Sequence, residues 1–321
     1  MRAETKTLLI ATRSSELALR QARLVQSALA RVGIAAELKT YKTSGDKKLD
    51  EPLSAIGGKG LFTKELEADL AKGAVDCCVH SLKDLPTEMP EGLSVGAIMT
   101  REDPRDVLIV NSVTGATSIG DLPRGSRVGT SSLRRRAQLL ALRGDVEVVA
   151  LRGNVPTRIR KVDEGQVHAA ILAAAGIHRL GIEEQIACYL DAPQWLPAAG
   201  QGAIAVQIRE DDARMRELVA PLHDIETAIQ VRAERAFLGA LEGGCQVPIG
   251  ALALDEENGL TVHGFIADVH GRQTVRGAHA VDRENPELSG IRLANELRGR
   301  GASEILETLR RAEQVPAPQP E

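Results

Sequence analysis

Aromatic side chains are scarce in this chain, with one Trp, two Tyr and three Phe among 321 residues. Proteins that bind single-stranded nucleic acid stack bases on aromatic rings, so this shortage removes their usual binding platform. An excess of one charge sign is also lacking, because 40 basic residues nearly balance 44 acidic ones and leave a formal net charge of −4. A mildly acidic chain is not typical of a nucleic-acid-binding protein, and we expect no nucleic acid partner.

Long apolar runs are missing as well. The first one, Leu8–Ala11, is too short for the core of a signal peptide, and no run approaches the length that crosses a bilayer. Four cysteines, of which Cys77 and Cys78 are adjacent, do not indicate a disulfide framework. We therefore expect no membrane partner and a reduced, cytoplasmic protein.

Metal and nucleotide motifs are absent too. The seven His residues lack the spacing of metal ligands, and neither a Cys-x-x-Cys pair nor a dinucleotide fingerprint occurs. The long polar segment 44–60 ends in Gly57–Gly60, which lacks the spacing of a phosphate loop. We interpret Gly57–Gly60 as a flexible hinge with one cation, Lys59, at the end of a flexible loop over 44–60, and we expect no metal site.

The chain does contain an alternation of strand and helix patterns. A strand, a helix that Ser15 would cap, and a second strand open the sequence, and a second series of this kind begins at Val107. Shorter alternating strands after Ile249 are followed by helices, which indicates a separate α+β domain. The predicted fold class is therefore α/β, with two doubly wound lobes and a C-terminal α+β domain.

Two segments are candidate crossings between lobes: the charged, proline-broken stretch 101–106, and 199–202, after which an apolar strand could return to the first sheet. The predicted divisions are domain 1 over 1–101 and 202–221, domain 2 over 102–201, domain 3 over 222–314, and a disordered Pro-rich tail over 315–321.

A polar turn follows a short apolar strand at Ala74–His80. Ser81, Lys83 and Asp84 come directly after that strand, and Pro86 disfavours helical geometry at the residue before it. Ligands in open α/β sheets bind outside the carboxyl ends of strands, which makes this turn a candidate site. A surface turn with a solvated ion pair is an equally good interpretation of the stretch alone.

Positive charge is concentrated between Arg124 and Lys161, where nine Arg and one Lys face only Asp145 and Glu147. Arg134, Arg135, Arg152 and Arg158 fall where strands end and helices begin. Helix N-termini repel cations, so this placement favours a bound polyanion with carboxylate or phosphate groups over a solvated basic face.

Cys245 follows two glycines in a loop after a predicted helix. The glycines would leave the thiol exposed on a backbone able to approach a ligand closely, whereas a small buried residue in a tight turn is the alternative. No His lies nearby in sequence, so a protease-like nucleophile is not supported.

Seven stretches, in order and over nearly the whole chain, resemble the porphobilinogen deaminase family. They include Val79-His80-Ser81-Leu82-Lys83-Asp84-Leu85-Pro86 and Gly243-Gly244-Cys245-Gln246-Val247-Pro248, and the full set spans 10–21, 57–67, 79–86, 101–106, 129–135, 151–154 and 241–250. The resemblance implies two lobes like those of a type II periplasmic binding protein, with the site between them. It also implies a dipyrromethane cofactor joined by a thioether to Cys245.

The activity implied by the resemblance is the condensation of four porphobilinogen molecules, with loss of ammonia, into the linear tetrapyrrole hydroxymethylbilane. The partners would be porphobilinogen and the growing polypyrrole, bound to a monomer. Asp84 would be the catalytic carboxylate. The implied cofactor contacts are Cys245, Lys83, Ser81, Asp84, Ser132, Arg134, Arg135 and Arg152. The implied substrate contacts are Arg13, Ser15, Lys59, Phe62, Arg158, Arg179 and Gln201.

The chemistry of the residues agrees with this resemblance. Each pyrrole ring has an acetate and a propionate, so a growing chain is the polyanion that the arginines indicate. Loss of ammonia leaves a cationic azafulvene, which a carboxylate such as Asp84 would stabilise. Ala55 and Pro156 depart from the family pattern, and their effect is open. Two alternatives remain: a two-lobed polycarboxylate-binding protein without catalysis, and a phosphate-ester transferase, which the missing nucleotide and metal motifs disfavour.

Overall fold

The computed structural model describes residues 7–43, 63–241 and 247–314. Its strands are β1 (Leu8–Arg13), β2 (Ala36–Tyr41), β3 (Cys77–Ser81), β4 (Leu93–Ile98), β5 (Asp106–Val110), β6 (Arg127–Gly129), β7 (Glu147–Val149), β8 (Ala169–Ala173), β9 (Cys188–Leu190), β10 (Ile204–Arg209), β11 (Ile249–Glu256), β12 (Gly259–Ala267) and β13 (Thr274–Ala280). Its helices are α1 (Glu16–Arg31), α2 (Lys64–Ala71), α3 (Leu133–Leu142), α4 (Val155–Asp163), α5 (Ala174–Leu180), α6 (Ala213–Val219), α7 (Ile225–Ala240), α8 (Pro286–Leu297) and α9 (Ser303–Gln314). The predicted loop over 44–60 and tail over 315–321 lie outside these residues, as do Ala55, Lys59, Phe62 and Cys245.

The first sheet, the core of lobe 1, has the order β2-β1-β3-β10-β4. β1 is parallel to β2 and β3, whereas β10 is antiparallel to β3 and β4 on either side of it. Ile10, Val79 and Val206 fill the apolar layer under helix α1. Lobe 1 is therefore completed by a strand that follows lobe 2 in the sequence.

The second sheet, the core of lobe 2, has the order β7-β6-β8-β5-β9. β6 is parallel to β7 and β8, and β5 is antiparallel to β8 and β9. Both lobes thus place one antiparallel strand in the fourth position. They share one plan, although the sequence contains no recognisable repeat.

The third sheet is the antiparallel meander β11-β12-β13, against which α7 and α8 pack. Gly264 on β12 is needed for this packing, because a Cβ there would lie 2.5 Å from Cζ of the buried Phe237 on α7. The predicted fold class, two α/β lobes followed by an α+β domain, is confirmed.

The two crossings between lobes run side by side. The Glu102 N–H donates to the Gly202 carbonyl at 3.2 Å. Gly202 has a φ of +92°, and a Cβ on it would lie 2.3 Å from the Glu102 carbonyl oxygen. Only glycine fits this position, because it tolerates both the positive φ and the close approach.

Helices α1, α3 and α4 each begin with a side-chain cap. Ser15 accepts a hydrogen bond from the Ala18 N–H at 3.4 Å, as the sequence predicts, and Ser132 accepts from the Arg135 N–H at 3.4 Å. Asn154 caps α4 by accepting from the Thr157 N–H at 2.9 Å, with Pro156 in the first turn. Each cap accepts a hydrogen bond from a backbone N–H that has no acceptor within the helix.

Candidate active site between the two lobes

The polar turn of lobe 1 follows β3 directly. Leu82–Asp84 form one turn of 3₁₀ helix, and Leu85 is extended before Pro86, which is the geometry that a residue before proline favours. Leu82 is fully buried, and its N–H donates to the Ala203 carbonyl at 3.0 Å. The buried leucine anchors the turn and leaves its two charged neighbours, Lys83 and Asp84, half-buried.

Arg235, on α7 of the third domain, holds this turn by its backbone. Its guanidinium donates to the carbonyls of Leu85 at 3.2 Å and Pro86 at 2.5 Å, with longer contacts to those of Leu82 and Thr87. Desolvation of the buried guanidinium lowers the pKa of Arg235. The third domain therefore fixes the backbone that presents Asp84.

A chain of side-chain hydrogen bonds links the turn to lobe 2. The Lys83 ammonium donates to Oε1 of Gln201 at 3.2 Å. Nε2 of Gln201 donates to Oδ1 of Asp106, at the start of β5, at 2.8 Å. Burial lowers the pKa of Lys83 to about 8, and the charges of neighbouring arginines act in the same direction while nearby carboxylates oppose them.

Arg134 and Arg135, in the first turn of α3, are both buried against Asp106. Nη1 of Arg134 lies 2.6 Å from Oδ2 of Asp106, and Nη2 of Arg135 lies 2.7 Å from Oδ1. The position of these cations at a helix start predicts an external anion. Asp106 corrects this prediction, because an internal carboxylate already neutralises part of their charge.

Arg152 and Arg158 lie on the turn and the first turn of helix that follow β7. Nε of Arg158 donates to the Gly153 carbonyl at 2.8 Å. The pKa of Arg158 is lowered to about 10, mainly by burial and also by the charges of Arg135 and Arg152, while the charge of Asp84 opposes this shift. The charge of Asp84 in lobe 1 therefore acts on Arg158 in lobe 2.

Three further residues predicted from the sequence, Ser81, Arg179 and Arg13, lie at the edges of the cleft. Ser81 accepts a hydrogen bond from Nε2 of Gln21 at 2.8 Å. Arg179, on α5, donates to the Gly202 carbonyl at 2.6 Å, and burial lowers its pKa to about 10. Arg13 ends β1, where its charge acts on His80. The structure thus brings Lys83, Asp84, Gln201 and the lobe 2 arginines together, whereas Arg179 lies at the crossing.

Sequence reasoning missed three residues that shape this cleft: Asp106, Trp195 and Arg235. Trp195 donates from Nε1 to Oδ2 of Asp106 at 2.8 Å. A weak signal existed for Asp106, because it is a carboxylate directly before the apolar strand segment Val107–Ile109, where burial demands partners. No comparable signal marks Arg235, which is one of two arginines on a long helix.

The donor set of the cleft suits a ligand with several carboxylates. Among the described residues, the cleft combines four arginines and Lys83 with the carboxylates of Asp84 and Asp106. Nε of Arg135 is buried and has no hydrogen-bond partner among the described residues. Within those residues, no group of three or more His, Cys, Asp and Glu could hold a metal ion. No helix in the described part of the chain is long and apolar enough to cross a membrane.

The fold and the site define a class of protein. It has two α/β lobes, a cationic cleft suited to a polyanionic ligand, and a carboxylate at the end of a strand. Two family models match the chain and identify a family within this class. "Porphobilinogen deaminase, dipyromethane cofactor binding domain" matches residues 8–217, and "Porphobilinogen deaminase, C-terminal domain" matches 228–299. The chain belongs to the porphobilinogen deaminase family.

Curated relatives agree over nearly the full length. The porphobilinogen deaminase of Syntrophobacter fumaroxidans is 48% identical over 309 residues, which are 96% of this chain and 99% of that protein. That of Moorella thermoacetica is 51% identical over 303 residues, covering 94% of this chain and 96% of the relative. Among solved structures, the methionine-binding protein MetQ covers 70% of this chain and 93% of its own with a TM-score of 0.45 and 14% identity, a level on which no conclusion rests.

Family membership makes this chain a transferase of tetrapyrrole biosynthesis with a dipyrromethane cofactor, as the sequence predicts. The two alternatives, a binding protein without catalysis and a phosphate-ester transferase, are not favoured.

Proposed function

We propose that Asp84 is the catalytic carboxylate with which this chain condenses four porphobilinogen molecules into hydroxymethylbilane. The observation that carries the proposal is the position of Asp84 in the cleft. Its charge acts both on Lys83 of its own lobe and on Arg158 of the opposite lobe. A substrate ring held between the lobes would therefore meet this carboxylate.

Asp84 has two tasks in the proposed mechanism. It donates a proton to the leaving amine of porphobilinogen, and its anion then stabilises the positive charge that develops on the pyrrole nitrogen. After the new carbon–carbon bond forms, the same carboxylate accepts the proton that the ring carbon releases. Among the described residues none hydrogen-bonds to Asp84, which leaves its oxygens available for these transfers.

The cationic residues bind the acetate and propionate groups. Arg134, Arg135, Arg152 and Lys83 are proposed to hold the cofactor, with Ser81 and Ser132 at its margins. Arg13, Ser15, Lys59, Phe62, Arg158, Arg179 and Gln201 are proposed to bind the substrate. The cofactor, when bound, supplies the pyrrole carbon to which the first substrate ring is joined.

Cys245 is the proposed attachment point of the cofactor. The other three cysteines are poor candidates, because burial raises the pKa of Cys77 to about 12 and raises those of Cys78 and Cys188 as well. A thiol reacts as its thiolate, which burial disfavours. Cys245 itself lies outside the described residues.

Further proposals concern organisation and context. Each sheet supports one domain, which favours boundaries at 1–101 with 202–221, 102–201 and 222–314. A monomer without a nucleic acid partner remains our prediction. The free thiols Cys77, Cys78 and Cys188 fit a reducing compartment, and we propose a cytoplasmic location.

Single-turnover release of ammonia from cofactor-loaded protein tests the role of Asp84. A carboxylate about 4 Å from the developing charge is worth roughly 4 kcal/mol at an effective dielectric constant of about 20, or about three orders of magnitude in rate. Asp84→Asn should lose most of this rate, and Asp84→Glu clearly less, because only the former removes the charge.

Intact mass controls for cofactor loss in each variant. Asp84→Asn protein that retains the cofactor mass and releases ammonia at the wild-type rate would remove Asp84 from the mechanism.

A further inference from the structure

Asp106 is a buried carboxylate at the junction of the two lobes. It is the first residue of β5, and its side chain has no exposed surface. Taking a carboxylate out of water costs several kcal/mol unless hydrogen bonds and opposite charges compensate for it. The groups that contact the Asp106 carboxylate must therefore account for its stability at this position.

Four donors surround the Asp106 carboxylate, two on each oxygen. Oδ1 accepts from Nη2 of Arg135 at 2.7 Å and from Nε2 of Gln201 at 2.8 Å. Oδ2 accepts from Nη1 of Arg134 at 2.6 Å and from Nε1 of Trp195 at 2.8 Å. Burial alone would raise the pKa of Asp106, but the charges of the two arginines hold it well below its usual range. The group is an anion with both oxygens fully engaged.

The orientation of the Gln201 amide follows from its surroundings. Its nitrogen faces three acceptors, namely Oδ1 of Asp106 and the carbonyls of Pro104 and Arg105. A flipped amide would place an oxygen against all three, so only one orientation is compatible with them. The amide oxygen is thereby directed at the Lys83 ammonium, 3.2 Å away.

The charges around Lys83 come from both lobes. Arg134 and Arg135 disfavour its ammonium form, whereas Asp84 and Asp106 favour it. Burial and the two arginines lower the pKa of Lys83 to about 8 even with both carboxylates present, so removing either carboxylate should lower that pKa further.

We propose that Asp106 is a positioning residue of the cleft: it fixes Arg134 and Arg135 in lobe 2 and, through Gln201, keeps the Lys83 ammonium charged and directed in lobe 1. The inference rests on the proposed site but not on the chemistry of Asp84. One carboxylate thus sets three cationic groups that face the carboxylates of cofactor and substrate. Nε of Arg135 is the one nitrogen of the Arg134 and Arg135 guanidinium groups that is buried without a hydrogen-bond partner in the described residues.

Competitive acetylation of the purified, cofactor-loaded protein tests this proposal. Only the neutral amine reacts, so the acetylation rate of the Lys83 peptide plotted against pH gives the pKa of Lys83 by mass spectrometry. We compare the wild type with Asp106→Asn and, as a matched control in lobe 2, with Asp121→Asn, whose carboxylate bonds only to Thr117 and Ser118 on an exposed loop.

Asp121→Asn should have the same Lys83 midpoint as the wild type. Asp106→Asn should shift it downward by about one unit, because an anion that favours the ammonium has been removed. At the pH of the wild-type midpoint, the charged fraction would then fall about fivefold. The alkaline limb of the ammonia-release profile should move by the same amount, and the variant should retain less cofactor mass.

A folded Asp106→Asn protein with an unchanged Lys83 midpoint would overturn the proposal. If Asp106→Asn unfolds, the midpoint of Lys83 instead rises towards that of an ordinary lysine. In that case Gln201→Met replaces Asp106→Asn in the comparison. That variant removes the acceptor of Lys83 but keeps Asp106 with its arginines, and its midpoint should also fall. An unchanged Lys83 midpoint in Gln201→Met overturns the proposal too.

Labelling of Lys83 does not depend on turnover. If the proposed role of Asp84 fails, the Lys83 midpoints can therefore still be measured and interpreted.

Discussion

Arg101 and Glu234 form a buried two-pronged ion pair that joins the first crossing to the third domain. Nη1 and Nη2 of Arg101 lie 2.6 and 3.0 Å from the two carboxylate oxygens of Glu234. The same oxygens accept from the N–H groups of Gly200, on the second crossing, and Ala253, on β11. Glu234 therefore holds both crossings and the third sheet at one point.

We expect Glu234→Gln to destabilise the protein strongly. The amide nitrogen would face donors, and the charge of Arg101 would be left buried, at a cost of about 3–5 kcal/mol in the free energy of unfolding. Glu226→Gln, on the same helix, breaks an exposed pair with Arg283 and should cost at most about 1 kcal/mol. Urea-induced unfolding measures both, and equal losses would contradict this assignment.

Arg235→Lys tests whether the third domain positions Asp84. Lysine keeps the charge but loses the fork that reaches the carbonyls of the polar turn, and each buried acceptor left unpaired costs about 1–3 kcal/mol. We expect kcat to fall by about ten- to a hundredfold with little change in KM. Arg232→Lys, one turn earlier and paired with the exposed Glu287, is the control. Matching kinetics in the two variants would rule out a positioning role.

Many of the candidate site residues can be predicted from the sequence, because the signals that mark them lie within short local segments. Ser81, Lys83 and Asp84 could be assigned to a ligand edge because a short apolar strand and a proline bracket them, and the arginines because they cluster at helix starts. Asp106 and Arg235 could not be assigned in this way. The partners of Asp106 come from α3, Trp195 and the second crossing, and Arg235 contacts Pro86 across 149 residues of chain. Such pairings depend on tertiary packing, which no local pattern encodes.

His80 should make the protein sensitive to mild acid. It is buried with Nε2 3.0 Å from Oε1 of Gln207, and burial, aided by the charge of Arg13, lowers its pKa from 6.5 to about 4. Between these values the unfolded chain binds a proton that the folded protein does not, so stability falls as the pH falls through this window.

The size of this effect can be measured against His80→Gln, which retains a hydrogen-bonding side chain. From pH 7 to pH 5 the wild type should lose about 2 kcal/mol more than the variant in the free energy of unfolding. Parallel pH dependences in urea titrations would show that His80 does not contribute.

Cys245 should hold a covalent mass equal to two pyrrole units. Peptide mapping by mass spectrometry should find it on the Cys245 peptide, and Cys245→Ser should remain folded without it. Cys188→Ser, at the most accessible of the described thiols, should retain the full mass. A fully active wild-type protein without any adduct would end this prediction.

The position of β10 bears on how the chain folds as it is synthesised. β10 lies between β3 and β4, yet it is translated only after the whole of lobe 2. Until the ribosome passes Arg209, the nascent lobe 1 has two open strand edges, which are sites of mispairing and aggregation. The strands of lobe 2 are all translated by Leu190. The half of the protein that begins second can therefore complete its sheet first.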